Sequence, residues 1–209
     1  MVRSSTTPRS RVTSPSEQAG ESPRERLVAG LAKAIVELGY ARLTIADIVR
    51  HAHVSKRTFY EHFEDKDACL LALYAAQSAR LLSEIQAAIQ HAPPGEMRAS
   101  IGAAVYLSSL QSRPGLVRTL LVEILHVGPK GFELRRQVMR SFAELMRREF
   151  DAAGTGATLS PAIAMALVGG INELILEAVE EDRVDRLSEL AGPVAAFVRG
   201  LLEARPPAK

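Results

Sequence analysis

From Leu43 to Lys66 the chain reads LTIADIVRHAHVSKRTFYEHFEDK, and this stretch constrains the fold more than any other. Ile45, Ile48 and Val49 recur at i, i+3 and i+4, the one-sided apolar spacing of a short helix. Thr44 precedes the run and Asp47 follows three residues later. A hydroxyl there can accept an orphan backbone N–H, and a carboxylate meets the positive helix end. The helix is expected to stop near Ala52, and Ser55 to cap a second helix that opens Lys56-Arg57-Thr58. Two helices around a three- to four-residue turn form the DNA-binding helix-turn-helix shape.

The second helix has two faces. Val54, Phe59 and Phe63 are apolar, and Phe59 and Phe63 stand four apart, so they share a side that anchors the helix to a core. Lys56, Arg57, Thr58, Tyr60 and His62 are polar and point mostly elsewhere. Cationic and hydroxyl side chains donate to phosphate oxygens, and Lys and Arg also donate to guanine O6 and N7. A solvated basic face fits the same residue types. The paired-helix context favours DNA.

The run T-I-A-D-I-V-x-x-A-x-V-S-K-R-T-F-Y-x-H-F-x-D-K-D-A-C-L resembles the N-terminal domain of TetR-type transcriptional repressors, over about Arg24 to Leu73. The resemblance implies an all-helical dimer that releases DNA when a small ligand binds its C-terminal domain. It implies base and backbone reading by Lys56, Arg57 and Tyr60, with Ser55 at the start of that helix. It implies phosphate contacts from Thr44, Thr58, Tyr60 and His62, and a further one from Lys66. One residue departs from the family pattern: the inter-helix turn usually carries Gly, and this chain has His53. A left-handed backbone suits Gly best, though His is among the better tolerated alternatives.

Nearly every segment after Pro23 has helical period and none reads as a convincing strand, so the fold class is all-α. The expected organisation is a disordered basic arm over 1–22, a three-helix helix-turn-helix unit over 23–66, a helical ligand-binding and dimerisation domain over 67–205, and a disordered tail over 206–209. Helix one is expected over Pro23–Leu38, ended by Gly39. A long helix follows Asp65 to about His91 and joins the two halves. Later helices are expected over about Glu96–Gln111, Leu116–Val127, Pro129–Ala153, Ser160–Glu181 and Arg186–Ala204, with Pro193 kinking the last or moving its start. The Gly154-Thr155-Gly156 loop separates the third and fourth of these.

With 209 residues the chain can bury a real core. Its formal net charge of +2 does not by itself indicate nucleic acid. Arg3, Arg9 and Arg11 of the arm could trail along phosphates or enter a minor groove, but a plain solvated tail is the preferred reading. Glu173–Glu189 is strongly acidic and should face away from DNA. No run of eighteen apolar residues appears, so no membrane partner is expected. No secretory core segment follows the N-terminal arginines, and the single Cys69 suits a reducing cytoplasm as a buried thiol.

The last two helices are apolar nearly all round. Ile163, Leu167, Gly170, Ile171 and Leu174, with Leu190, Val194, Phe197 and Leu201, are expected to form a four-helix interface in a two-fold homodimer. A monomer core accounts for the same pattern. Tyr106, Leu110, Leu121, Leu125, His126, Met139, Phe142 and Met146 are candidate lining for an effector pocket, nominated by helix position. No catalytic constellation, phosphate loop or metal-ligand cluster is found, and no cofactor is expected; Glu123 and His126, three apart, lack further ligands. The reading that results is a regulator of double-stranded DNA with a palindromic operator, released by a small, mostly apolar effector. A regulator without an effector, and a helical adaptor that binds proteins through Glu173–Glu189, remain open.

Overall fold

Ser22 shows why the first helix begins where it does. Its hydroxyl accepts the Glu25 N–H, and the Glu25 carboxylate takes the Ser22 N–H at 2.8 Å, a reciprocal cap ahead of Pro23. The helix it opens, α1, spans Pro23–Leu38 and ends at Gly39, whose φ of 74° requires a residue without Cβ strain. The computed structural model describes residues 20–154 and 159–203. Arg3, Arg9 and Arg11 of the arm, Thr155 and Gly156, Ala204 and the 206–209 tail lie outside them.

A 3-10 turn, Tyr40–Arg42, leads to α2 (Ile45–Ala52) and α3 (Lys56–His62). The caps are those expected. Thr44 and Asp47 form a capping box, and the Ser55 hydroxyl takes the Thr58 N–H at 3.0 Å. Leu27, Leu31, Ile48 and Phe59 are fully buried among α1, α2 and α3, each burial stabilising by about 1.5–3 kcal/mol. At Gly30 a Cβ would stand 2.8 Å from both the Ala52 nitrogen and the Ile48 oxygen. The two backbones therefore approach as closely as only Gly permits, and this sets the crossing of α1 over α2.

The long helix α4 spans Lys66–Ile89 and stops one turn before Pro93. Asp65 caps it through the Ala68 N–H at 2.7 Å. The core of the N-terminal unit does not end at residue 66. Cys69, Leu70 and Leu73 of α4 are buried in it, as is Leu116 from far along the chain. Burial pushes the Cys69 thiol up to about 12, and its Sγ lies 3.9 Å from the Leu27 carbonyl, so it behaves as a core residue.

The second half comprises α5 (Glu96–Gln111), α6 (Pro114–Arg118), α7 (Ile124–His126), α8 (Pro129–Ala152), α9 (Pro161–Glu180) and α10 (Ala191–Glu203). All described regular elements are helical, as expected. α8 packs on α9, and α10 packs on α5. Two boundaries differ from expectation. The helix expected from Leu116 starts at Pro114, where a missing N–H costs nothing, and passes through a π-helical stretch, Thr119–Glu123, before α7. The single helix expected from Arg186 is a 3-10 segment, Val184–Leu190, followed by α10. Pro193 falls in the first turn of α10, so it moves the start rather than kinking the helix.

Candidate nucleic-acid interface and internal cavities

The second motif helix presents the two faces its sequence implies. Phe59 is fully buried and Phe63 nearly so, their rings 5.8 Å apart, and the Arg24 guanidinium lies 5.2 Å above Phe63. With that side fixed, Lys56, Arg57, Tyr60 and His62 are exposed, and Tyr60 retains 60 % of its surface. Arg57 Nε donates to Glu61 at 3.1 Å across one helical turn. The pair is solvent-exposed, so it holds the guanidinium loosely rather than sequestering it. Thr44 and Ser55 are exposed and spend their hydroxyls on caps, and Thr58 is half-buried with its Oγ1 3.0 Å from that of Ser55.

His53 occupies the turn with φ 52° and ψ 45°, a left-handed conformation. The Val54 N–H reaches back to the Val49 carbonyl at 3.1 Å, closing the end of α2 around it. The His53 side chain is exposed, so the strain of this backbone is not offset by packing.

Lys66 is placed differently from its expected role. Its ammonium donates to the carbonyls of Tyr40 and Leu43, both at 3.1 Å, and lies 4.3 Å above the Tyr40 ring. Two of its three donors are thus spent inside the protein, so it is a strut before it is a phosphate ligand. Its neighbour Asp67 accepts the Tyr40 hydroxyl, and burial, then this bond, raise the phenol's pKa. Together they lock the start of α4 to the turn that precedes α2. Sequence reasoning missed Tyr40; its signal was an aromatic beside a helix-ending Gly.

A second link runs through α6. A Cβ on Gly115 would lie 3.1 Å from Val36 Cγ2, so α6 sits directly on α1. Leu116 is part of the N-terminal core, and Leu120 and Val127 pack against it.

Two cavities of about 80 Å³ each lie behind these links. One, among α4, α5, α8, α9 and α10, is lined by Ile85, Ile89, Ala103, Leu145, Met146, Phe150 and Val194, with Arg98 paired to Glu149 at 2.9 Å. The other, against α6 and the π-helical stretch, is lined by Leu110, Leu116, Leu120, Leu121 and Met139, together with Tyr74, Gln77, Arg113, Arg135 and Asn172. Tyr106 and Phe142 line both, their rings 5.6 Å apart, and the Tyr106 hydroxyl donates to Asn172 Oδ1 at 3.2 Å. Six of the eight expected lining residues are therefore at a cavity. Leu125 and His126 line neither; the His126 side chain is exposed and lies 3.4 Å from Glu123. The polar and arginine lining was not foreseen, because a lone Arg on a helix reads first as a solvated one.

The two terminal helices divide by helical period. Leu167, Ile171 and Val194, expected at a subunit interface, belong to the protomer's own core. Ile163, Leu174 and Phe197 stand out, 48 %, 39 % and 54 % exposed, with Gly170 beside them. Leu190 and Leu201 are half-buried against the core. Helix α9 is apolar along most of its length, yet fewer than half of its residues are buried.

Residues 27–73 match the family model described as bacterial regulatory proteins, tetR family. No curated protein matches the chain. Among solved structures, the fatty acid degradation regulator FadR from Bacillus halodurans superposes with a TM-score of 0.73 at 20 % identity, covering 88 % of this chain and 98 % of that one. A TetR-family transcriptional regulator from Pectobacterium atrosepticum gives 0.70 at 23 %, covering 93 % and 100 %. The transcriptional regulator FadR from Bacillus subtilis, in complex with stearoyl-CoA, gives 0.69 at 17 %, covering 83 % and 96 %. These likenesses establish a shared fold across both halves.

Proposed function

On the premise that residues 27–73 carry the DNA-binding unit of a tetR-family regulator, we propose that the chain is a homodimeric repressor released from a palindromic operator by a small ligand. The observation that carries this is the union of an exposed Lys56–Arg57–Tyr60 face with an internal cavity through shared packing. Leu116 belongs to the core that supports α2 and α3, and it also lines the cavity against α6.

The mechanism follows from that arrangement. Arg57 and Lys56 supply donors for guanine edges and phosphates, and Thr44, Thr58 and His62 flank them for backbone contacts. The exposed face of Ile163, Gly170, Leu174 and Phe197 meets its two-fold copy, which places two α3 helices to read half-sites one turn or more apart. The acidic Glu173–Glu189 segment covers the end of α9 and the 3-10 segment that leads into α10. Each cavity holds only a few waters' volume, so a larger ligand must part Tyr106 and Phe142 and push on α4 or α6. The Tyr40–Asp67 and Lys66 contacts pass motion of α4 to α2, and Gly115 against Val36 passes motion of α6 to α1. The ligand shifts affinity only by as much as it prefers the released arrangement. That the Bacillus subtilis neighbour holds stearoyl-CoA supports a cavity-directed effector here.

Genome-wide mapping of bound DNA tests the reading. It should return one palindrome, and purified protein should bind that palindrome as a dimer. A screen for ligands that raise Tm should then contain compounds that release it. Sequence-independent binding of a monomer would refute the reading.

A further inference from the structure

The two cavities differ in charge, and the difference assigns a ligand chemistry. Arg98 and Glu149 at the first cancel each other at 2.9 Å. The second is lined by two guanidiniums, Arg113 and Arg135, and by no carboxylate. Among the described residues neither forms an ion pair. Among those residues the Arg135 side chain has no hydrogen bond, and Arg113 has a single side-chain bond, from Nη1 to Gln77 Oε1 at 3.0 Å. Glu84, whose charge reaches Arg113, is already held by Arg80 at 2.7 Å and by the Ser109 hydroxyl at 2.9 Å. Desolvation, and then the Arg80 charge, disfavour the charged Arg113. Two half-buried guanidiniums that share one cavity, with no carboxylate in its lining, present free N–H donors to an anion that enters it.

We propose that the cavity against α6 is a head-group subsite for a carboxylate or phosphate carried on an apolar chain, with the chain passing the Tyr106–Phe142 pair into the neighbouring cavity. Guanidiniums bind such oxyanions through paired N–H donors. Gln77, Tyr74 and Asn172 add polar groups around the same space. The site is also placed to act. Arg113 precedes α6 directly, at the turn from α5, so an anion drawn to it loads the helix that bears on Val36. This subsite rests on the effector-release reading and specifies which effector fits.

The test uses the full chain with decanoate, decyl phosphate, methyl decanoate and decylamine, measured by calorimetry and thermal shift. Either anion should bind at least about tenfold more tightly than the ester, and the amine should not bind. Arg113→Gln and Arg135→Gln should each weaken decanoate about tenfold while leaving the ester unchanged, and Arg135→Lys should keep part of the preference. The proposal is overturned if the ester or amine binds as well as the acid, if no probe binds, or if the acid preference survives in the double Gln variant. Operator binding is followed in parallel. Decanoate that binds without releasing DNA leaves the subsite standing and removes the release reading. Release by the ester alone removes the subsite and leaves release standing.

Discussion

The DNA-facing unit and the cavity-bearing unit are built from the same kind of helix, yet they are packed to different ends. Around Gly30 two backbones touch with no space for a methyl group, and Phe59 is sealed. Around Tyr106 and Phe142 space remains on both sides, and cations stand unpaired. A reading head must hold its side chains in fixed register, so close packing serves it. A sensor must admit something and move, so incomplete packing serves it. On the proposed function, the difference separates the part that specifies from the part that responds.

The largest effect should come from joining or separating copies. Leu174→Glu with Phe197→Glu places charge on the exposed apolar face; light scattering should show a monomer, and operator affinity should fall about 100-fold or more through loss of the second half-site. If the variant stays dimeric, another face joins the copies. Gly30→Val should test the tight half directly. It forces α1 from α2 and should cost about 3 kcal/mol or more, read as a fall in Tm and loss of operator binding. An equal-sized change at Gly169, where a Cβ meets nothing within 4 Å, should cost far less.

Smaller effects sharpen the picture of the turn. His53→Gly relieves a left-handed backbone, and because Gly also loosens the unfolded chain the net gain should stay below about 1 kcal/mol. A loss of stability would mean that the imidazole makes a contact of its own. Asp47 gives the smallest effect. Hydrogen bonds to the Thr44 side chain and then its backbone N–H hold this carboxyl below its ordinary value of 3.8. Its contribution is therefore present above that value and lost as pH falls through the lowered one. Asp47→Asn should flatten the acid limb of an unfolding curve recorded below about pH 4.

What was legible in the sequence follows the same division. Caps at Thr44, at Ser55 and at Ser160, whose hydroxyl takes the Ile163 N–H at 3.2 Å, the ends at Gly39 and Ala52, and the buried Phe59–Phe63 side are local matters, decided within one or two turns. Lys66 was legible as a cation beside the motif but not as a strut, because its acceptors lie at Tyr40 and Leu43 on another element. Arg113 and Arg135 sit far apart in sequence and meet at one cavity only through the fold. The terminal helices, apolar nearly all round, could not reveal which stripe the protomer uses itself. The structure assigns Leu167, Ile171 and Val194 inward and leaves Ile163, Leu174 and Phe197 outward.

On the proposed function, α3 reads DNA with its exposed face while the rest of the chain holds and spaces it. Fluorescence anisotropy on the mapped operator, at matched salt, with wild type and the Arg57→Ala, Tyr60→Ala double variant, tests this most directly. Affinity should fall by about 10- to 100-fold or more while the circular dichroism and the dimer mass are unchanged. Unchanged affinity in a folded double variant would contradict the account.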